Sequence, residues 1–166
     1  MRIQHSFIIH CTSLVIACLL LAAYGVAEEH ANAKYICAEP DPEQMCTAGN
    51  TCGSASAPCS VDVKRTADAA SSTPSIPKAK ANAPFCVKVG TTVNWQSSSK
   101  NTGFVVDFGP SSPFGSEGAI IGGSDRSVPV VAKKQGCFKY SAGACVSGAI
   151  YGMCGSVDTE LVVTGN

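Results

Sequence analysis

Beyond residue 27 no stretch of ten or more residues repeats its apolar side chains with the 3.6-residue period of a helix. The chain offers instead short runs of alternating apolar and polar residues, punctuated by Gly, Pro, Ser and Asn. Val61-Asp62-Val63, Phe85-Cys86-Val87-Lys88-Val89, Thr92-Val93-Asn94-Trp95, Gly103 to Phe108, Ala119-Ile120-Ile121, Ser127 to Ala132, Cys137 to Ala142 and Val157 to Val163 are the strands this pattern predicts. Gly90 marks a turn between two of them and Ser97 to Asn101 another. Ala67 to Ala83 reads as a loop rich in Ala, Ser and Pro, and a second loop surrounds Pro110 and Pro113. Short strands at this spacing predict an all-β sandwich or barrel, with Trp95 and Phe108 in its core.

The first 27 residues are of another kind. Arg2 supplies a positive start, Cys11 to Ala23 is apolar, and Gly25-Val26-Ala27 puts small residues where a signal peptidase cuts. A secretory signal over residues 1–27 is therefore expected, with Glu28 first in the mature chain. A membrane anchor is the rival, but it needs about 20 apolar residues and this run is shorter. Val15-Ile16-Ala17-Cys18 has the look of a lipidation box, yet Leu19 to Ala23 continue the apolar run past Cys18.

Of the ten cysteines, Cys11 and Cys18 leave with the signal. Cys37, Cys46, Cys52, Cys59, Cys86, Cys137, Cys145 and Cys154 remain. An even set in an exported chain predicts disulfides, and the sequence leaves open on the order of a hundred pairings. The compartment is then oxidising, periplasmic or outside the cell. Residues 28–58 hold Pro40, Pro42 and Pro58 and almost no large apolar side chain, so they cannot offset their ordering entropy without covalent help. They are expected as a cysteine-rich N-terminal extension, with residues 59–166 as the β domain. A zinc knuckle would need a C-x₂-C pair, which does not occur, and the only nearby imidazole is His30.

Twelve basic against twelve acidic residues provide no basic stripe for nucleic acid, and no cationic amphipathic helix suggests membrane contact after signal cleavage. His5, His10 and His30 are the only histidines, so a dyad, triad or zinc centre built on imidazole has nothing to use beyond residue 30. Motifs for thiol exchange, haem attachment, phosphate cradling and the nucleophile elbow are missing. Gly122-Gly123-Ser124-Asp125-Arg126 has no following helix and reads as a plain turn. Asp107, Glu117, Asp125 and Asp158 are separated by strands and loops, so no carboxylate pair is assigned. No enzyme is expected; the partner is an extracytoplasmic protein or ligand that the sequence does not identify.

Lys88-Val89-Gly90-Thr91-Thr92-Val93-Asn94-Trp95, then Gly136-Cys137-Phe138-Lys139-Tyr140, then Gly152-Met153-Cys154-Gly155-Ser156-Val157 with Glu160 to Val163 resemble, in that order, a bacterial cupredoxin, the blue-copper sandwich. The resemblance covers roughly Cys59 to Val163. It is nearer to secreted cupredoxin-like proteins with an S-P-F segment, here Ser112-Pro113-Phe114, in which copper ligands are often missing. It implies a Greek-key β-sandwich and a site of two imidazoles, a thiolate and a weak axial thioether. The first histidine position falls at or beside Gly103, the thiolate on Ala142, the second histidine on Cys145, and only the axial position is matched, by Met153. Cys145 and Cys154 bracket the segment where the copper loop would lie, so a disulfide between them is expected to fasten it, worth roughly 3 kcal/mol for a loop of about ten residues. The rival is a soft Cu(I) site of Cys145, Met153 and Cys154. The expectation is a secreted or periplasmic binding or structural module without cofactor, the alternative a copper-handling or electron-transfer protein.

Overall fold

Alternation of the kind in Val61-Asp62-Val63 places every second side chain on one face of a strand, and ten strands form on this basis in the computed structural model. The structure describes residue 37 and residues 42–116, 118–123, 126–152 and 159–165; the expected signal segment lies outside them. The strands are β1 (Cys59–Thr66), β2 (Ala69–Pro74), β3 (Phe85–Lys88), β4 (Thr92–Gln96), β5 (Thr102–Asp107), β6 (Ile120–Gly122), β7 (Val128–Val131), β8 (Gly136–Val146), β9 (Ala149–Tyr151) and β10 (Thr159–Thr164). Apart from one turn of 3₁₀ helix, Pro42–Met45, no helix occurs among the described residues. One sheet has the order β2-β1-β4-β7 and the other β3-β10-β8-β5-β6, with β9 added to β8. Pairs β1/β4 and β3/β10 are parallel and the rest antiparallel. This is the all-β sandwich expected from the alternation.

The inward side chains of both sheets make one core. Val61, Val63, Val93 and Trp95 come from the first sheet, and Phe85, Val87, Phe104, Val106, Phe138, Tyr140, Leu161 and Val163 from the second. Trp95 and Phe108 are buried there as expected. Edge-to-face contacts of Trp95 with Tyr140 at 5.2 Å and of Phe108 with Phe114 at 5.4 Å fill the middle, a geometry that favours aromatic pairs beyond their buried area. Tyr140 brings a polar oxygen into this core and shares a 2.7 Å hydrogen bond with Ser72. Burial pushes its phenol pKa well above the usual value, against the lowering effect of that bond.

Several expected boundaries change. Ala69–Pro74, expected inside a loop, is a strand, because β1 runs on to Thr66 and reverses through Ala67-Asp68 to pair Thr66 with Ala69. Its outer edge is closed by Asn82, whose side-chain oxygen accepts the Ser72 N–H at 2.8 Å while its own N–H donates to Ser72 O. The strand expected to end at Ala142 continues to Val146, with consequences for the site below.

The N-terminal segment is fastened to the second sheet. Cys86, Val162 and Cys137 form one cross-strand row over β3, β10 and β8 on the face turned away from the core. Cys46 binds one end of the row through Cys46–Cys86 and Cys37 the other through Cys37–Cys137. Val162 is accordingly 0% exposed although it faces outward. Asn50 to Cys52 also lengthen the sheet edge: Cys52 N–H donates to Cys86 O at 2.8 Å and Cys86 N–H to Asn50 O at 2.9 Å. The third disulfide, Cys52–Cys59, joins this edge to the start of β1 inside the core cluster.

Candidate functional site

The resemblance directs attention to β5 and to the far end of β8. On β5, Thr102, Phe104 and Val106 point inward, and Gly103, Val105 and Asp107 outward. In the β5/β8 register Ala142 lies opposite Val106 and Ala144 opposite Phe104, on the inner side. Cys145 lies opposite Gly103, on the outer side. The positions implied for the first histidine and for the thiolate, Gly103 and Ala142, are thus on opposite faces of one sheet, and no single ion can be held from both. Met153, the implied axial ligand, lies outside the described residues. With no histidine after His30, and with Ala142 on the opposite face from Gly103 and Cys145, the residues present do not fit a blue-copper group.

Where the resemblance implies an open loop, the chain makes a hairpin. Val146 pairs with Ala149, Cys145 with Ile150 and Ala144 with Tyr151. The two-residue connection Ser147-Gly148 has φ of 50° and 81°, both in the left-handed region, as the right-handed twist of paired strands requires. This end of β9 is held against the β1/β2 hairpin of the opposite sheet. The Arg65 guanidinium lies 3.8 Å from the centre of the Tyr151 ring, with its Nε donating to Ala67 O at 2.7 Å. A Cβ on Gly152 would stand 2.6 Å from Ala70 N, so only glycine permits that approach.

Among the described residues Cys145 is the one cysteine outside a disulfide, and it is half-buried. Its expected partner, Cys154, lies outside the described residues, as does Met153 of the soft copper set. Across from Cys145, Gly103 provides a bare floor, since a Cβ there would come 3.2 Å from Gly122 O and 3.4 Å from Cys145 Cβ. Beside it Ile150 and Ile121 are 62% and 71% exposed on the same outer face, on which the disulfide-bound segment covers the other half.

The remaining sequence candidates are dispersed. Arg126 N–H donates to Gly123 O at 3.2 Å, while Ser124 and Asp125, the middle of the expected turn, lie outside the described residues. Asp107 accepts the Gly109 N–H at 2.9 Å; Glu117 and Asp158 are not among the described residues. Ser112-Pro113-Phe114 anchors its loop by burying Phe114, and Pro113 O accepts both Lys133 and Lys134 N–H. A shallow polar cavity of about 430 Å³ lies beside it, lined by Gly109, Pro110, Ser112, Gly115, Ser116 and Lys134. One cluster escapes the sequence reading: Cys37, Cys137 and Glu160 have their ligand-type atoms within 4.8 Å of one another. A separation of 100 residues between the two cysteines leaves no spacing signal by which to find it.

Neither a protein-family model nor a curated protein matches the chain.

Proposed function

We propose that the chain is an exported, cupredoxin-like Greek-key sandwich that works as a binding or structural module, without enzymatic activity and without a type 1 copper site. The observation that carries this reading is the β5/β8 register, which turns Gly103 and Cys145 to one face and Ala142 to the other. A hairpin replaces the loop that would otherwise hold a metal. Three disulfides are the chemistry of an oxidising, extracytoplasmic environment, in the periplasm or outside the cell. The partner is then an extracytoplasmic protein or ligand, and neither nucleic acid nor, after signal cleavage, a membrane. Titration of purified protein with Cu(II) tests this: no intense thiolate-to-copper band is expected, and strong blue absorbance with one copper per chain overturns it.

A second reading, copper handling through Cys145, Met153 and Cys154, is favoured by one observation, the Cys145 thiol outside any disulfide of the described residues. Counting thiols in denaturant before reduction separates the two. Close to zero supports the stapled module, with Cys145 and Cys154 joined; about two supports the soft copper site.

A further inference from the structure

We propose that Cys37, Cys137 and Glu160 form a redox-gated site for a thiophilic divalent cation such as Zn²⁺, closed while the two cysteines are joined and opened when they are reduced. The proposal is independent of the functional reading above. Both sulfurs and the carboxylate lie within 4.8 Å of one another, and the Cα atoms of the two cysteines are 6.0 Å apart. A tetrahedral site with metal–sulfur bonds of about 2.3 Å and a metal–oxygen bond of about 2.1 Å needs the sulfurs roughly 3.8 Å apart and each roughly 3.5 Å from the oxygen; once the bond between them is broken, shifts of about an ångström at each side chain reach that geometry. The charge also fits. Two thiolates and Glu160 carry three negative charges, and the Lys139 ammonium, 3.9 Å from Glu160, offsets one, which leaves a divalent cation balanced. All three residues are half-buried, so solvent can supply the fourth ligand.

Joined as a disulfide, the sulfurs carry no charge and bind such a cation poorly. A dithiol reductant opens the bond: its own two thiols become a disulfide, and two electrons and two protons pass to Cys37 and Cys137. On binding the cation each thiol releases its proton to water and donates a lone pair through sulfur. Exposure decides which bond opens first. Cys52, Cys59 and Cys86 are at most 1% exposed, so each of the other disulfides has a sulfur buried in the protein, whereas Cys37–Cys137 has both ends half-exposed.

The test uses the full mature chain carrying Cys145→Ser and Cys154→Ser, which removes the rival thiols. After treatment with one equivalent of a dithiol, Co²⁺ serves as the spectroscopic probe and Zn²⁺ as the protecting ion. One Co²⁺ per chain with a thiolate-to-metal band is expected, as is slower alkylation of Cys37 and Cys137 in Zn²⁺ on a peptide map. Glu160→Gln should weaken Co²⁺ binding about tenfold or more, the loss that even an outer partner of a metal ligand can cause. Unchanged affinity in Glu160→Gln, equal uptake before reduction, or protection that maps to other cysteines overturns the proposal. So does reduction that begins at Cys46–Cys86 or Cys52–Cys59.

Discussion

Replacing Cys37 and Cys137 together by serine tests how much the strap across the second sheet contributes. In the chain-entropy account a cross-link stabilises by restricting the unfolded chain, by roughly 4.7 kcal/mol for a loop of about 100 residues. The bond spans 100 residues of sequence, but Cys46–Cys86 is nested inside it and shortens the unfolded path. About 60 residues then remain in the effective loop, which lowers the expected loss to roughly 4 kcal/mol. Both cysteines are half-exposed, so the change leaves little cavity, and the effect should be mainly entropic. Against a total of about 5 to 15 kcal/mol this is a large share, and the melting temperature should fall by about 12 to 20 °C. Urea unfolding should also show a larger m-value, because the freed unfolded chain exposes more surface. Amide exchange should quicken at Val162, which the strap covers, before it quickens at Val61 or Val93 in the opposite sheet. A melting temperature within about 4 °C of the parent, with an unchanged m-value, would refute the reasoning.

Three smaller perturbations probe the hairpins. Gly148→Ala meets nothing within 4 Å and should cost only the left-handed backbone, about 1 kcal/mol in urea unfolding, while Gly152→Ala adds a clash with Ala70 and should cost at least about 2 kcal/mol. Ala67 holds a φ of 53° in the β1/β2 turn, so Ala67→Gly should raise stability by roughly 0.5 kcal/mol, and a loss there would show that the left-handed conformation carries no strain. Burial raises the Asp62 pKa, but hydrogen bonds from Lys64 and from the Ser98 N–H and hydroxyl outweigh it and hold the carboxyl below its ordinary value. The stability Asp62 contributes is thus present above pH 4 and lost as pH falls through the lowered pKa; Asp62→Asn should cost about 1 kcal/mol or less at pH 7, and the difference should shrink steadily as pH falls below 4 in acid titrations of unfolding.

What could be read from the sequence was whatever apolar alternation encodes locally. Phe85 to Val89, Thr92 to Trp95 and Gly103 to Phe108 are rich in β-branched and aromatic side chains, and each forms a strand within about one residue of those bounds. Ala69–Pro74 has only small and polar side chains, and its strand exists because β1 offers a ladder on one edge and Asn82 satisfies the other. Ala149–Tyr151 is short, and its signal was the Ser147-Gly148 turn, a pair that a strand-to-strand reversal favours. The resemblance pointed instead to an open loop there, and a single extension of β8 to Val146 turned that loop into a ladder.

The cysteine connectivity was legible only as a parity. Cys86 and Cys137 share a face because each pairs in register with Val162, from a parallel neighbour on one side and an antiparallel neighbour on the other. That coincidence depends on strand order, which no local pattern carries. The same register sets which faces the implied ligand positions occupy. A ligand set needs its members on one face at one end, and a strand displaces alternate residues to opposite faces, so Gly103 and Ala142 can share an ion only if β8 ends before Ala142 and the chain beyond it is free to curl. Here the ladder continues through Cys145, and the half of the outer face it builds with Ile121 and Ile150 is apolar and uncovered, while the half under Cys37 and Cys46 is closed by covalent bonds. Among the described cysteines the chemistry therefore divides by location: Cys37–Cys137 and Cys46–Cys86 tie the strap over one half of the outer face, and Cys145 stands apart at the hairpin end of β8.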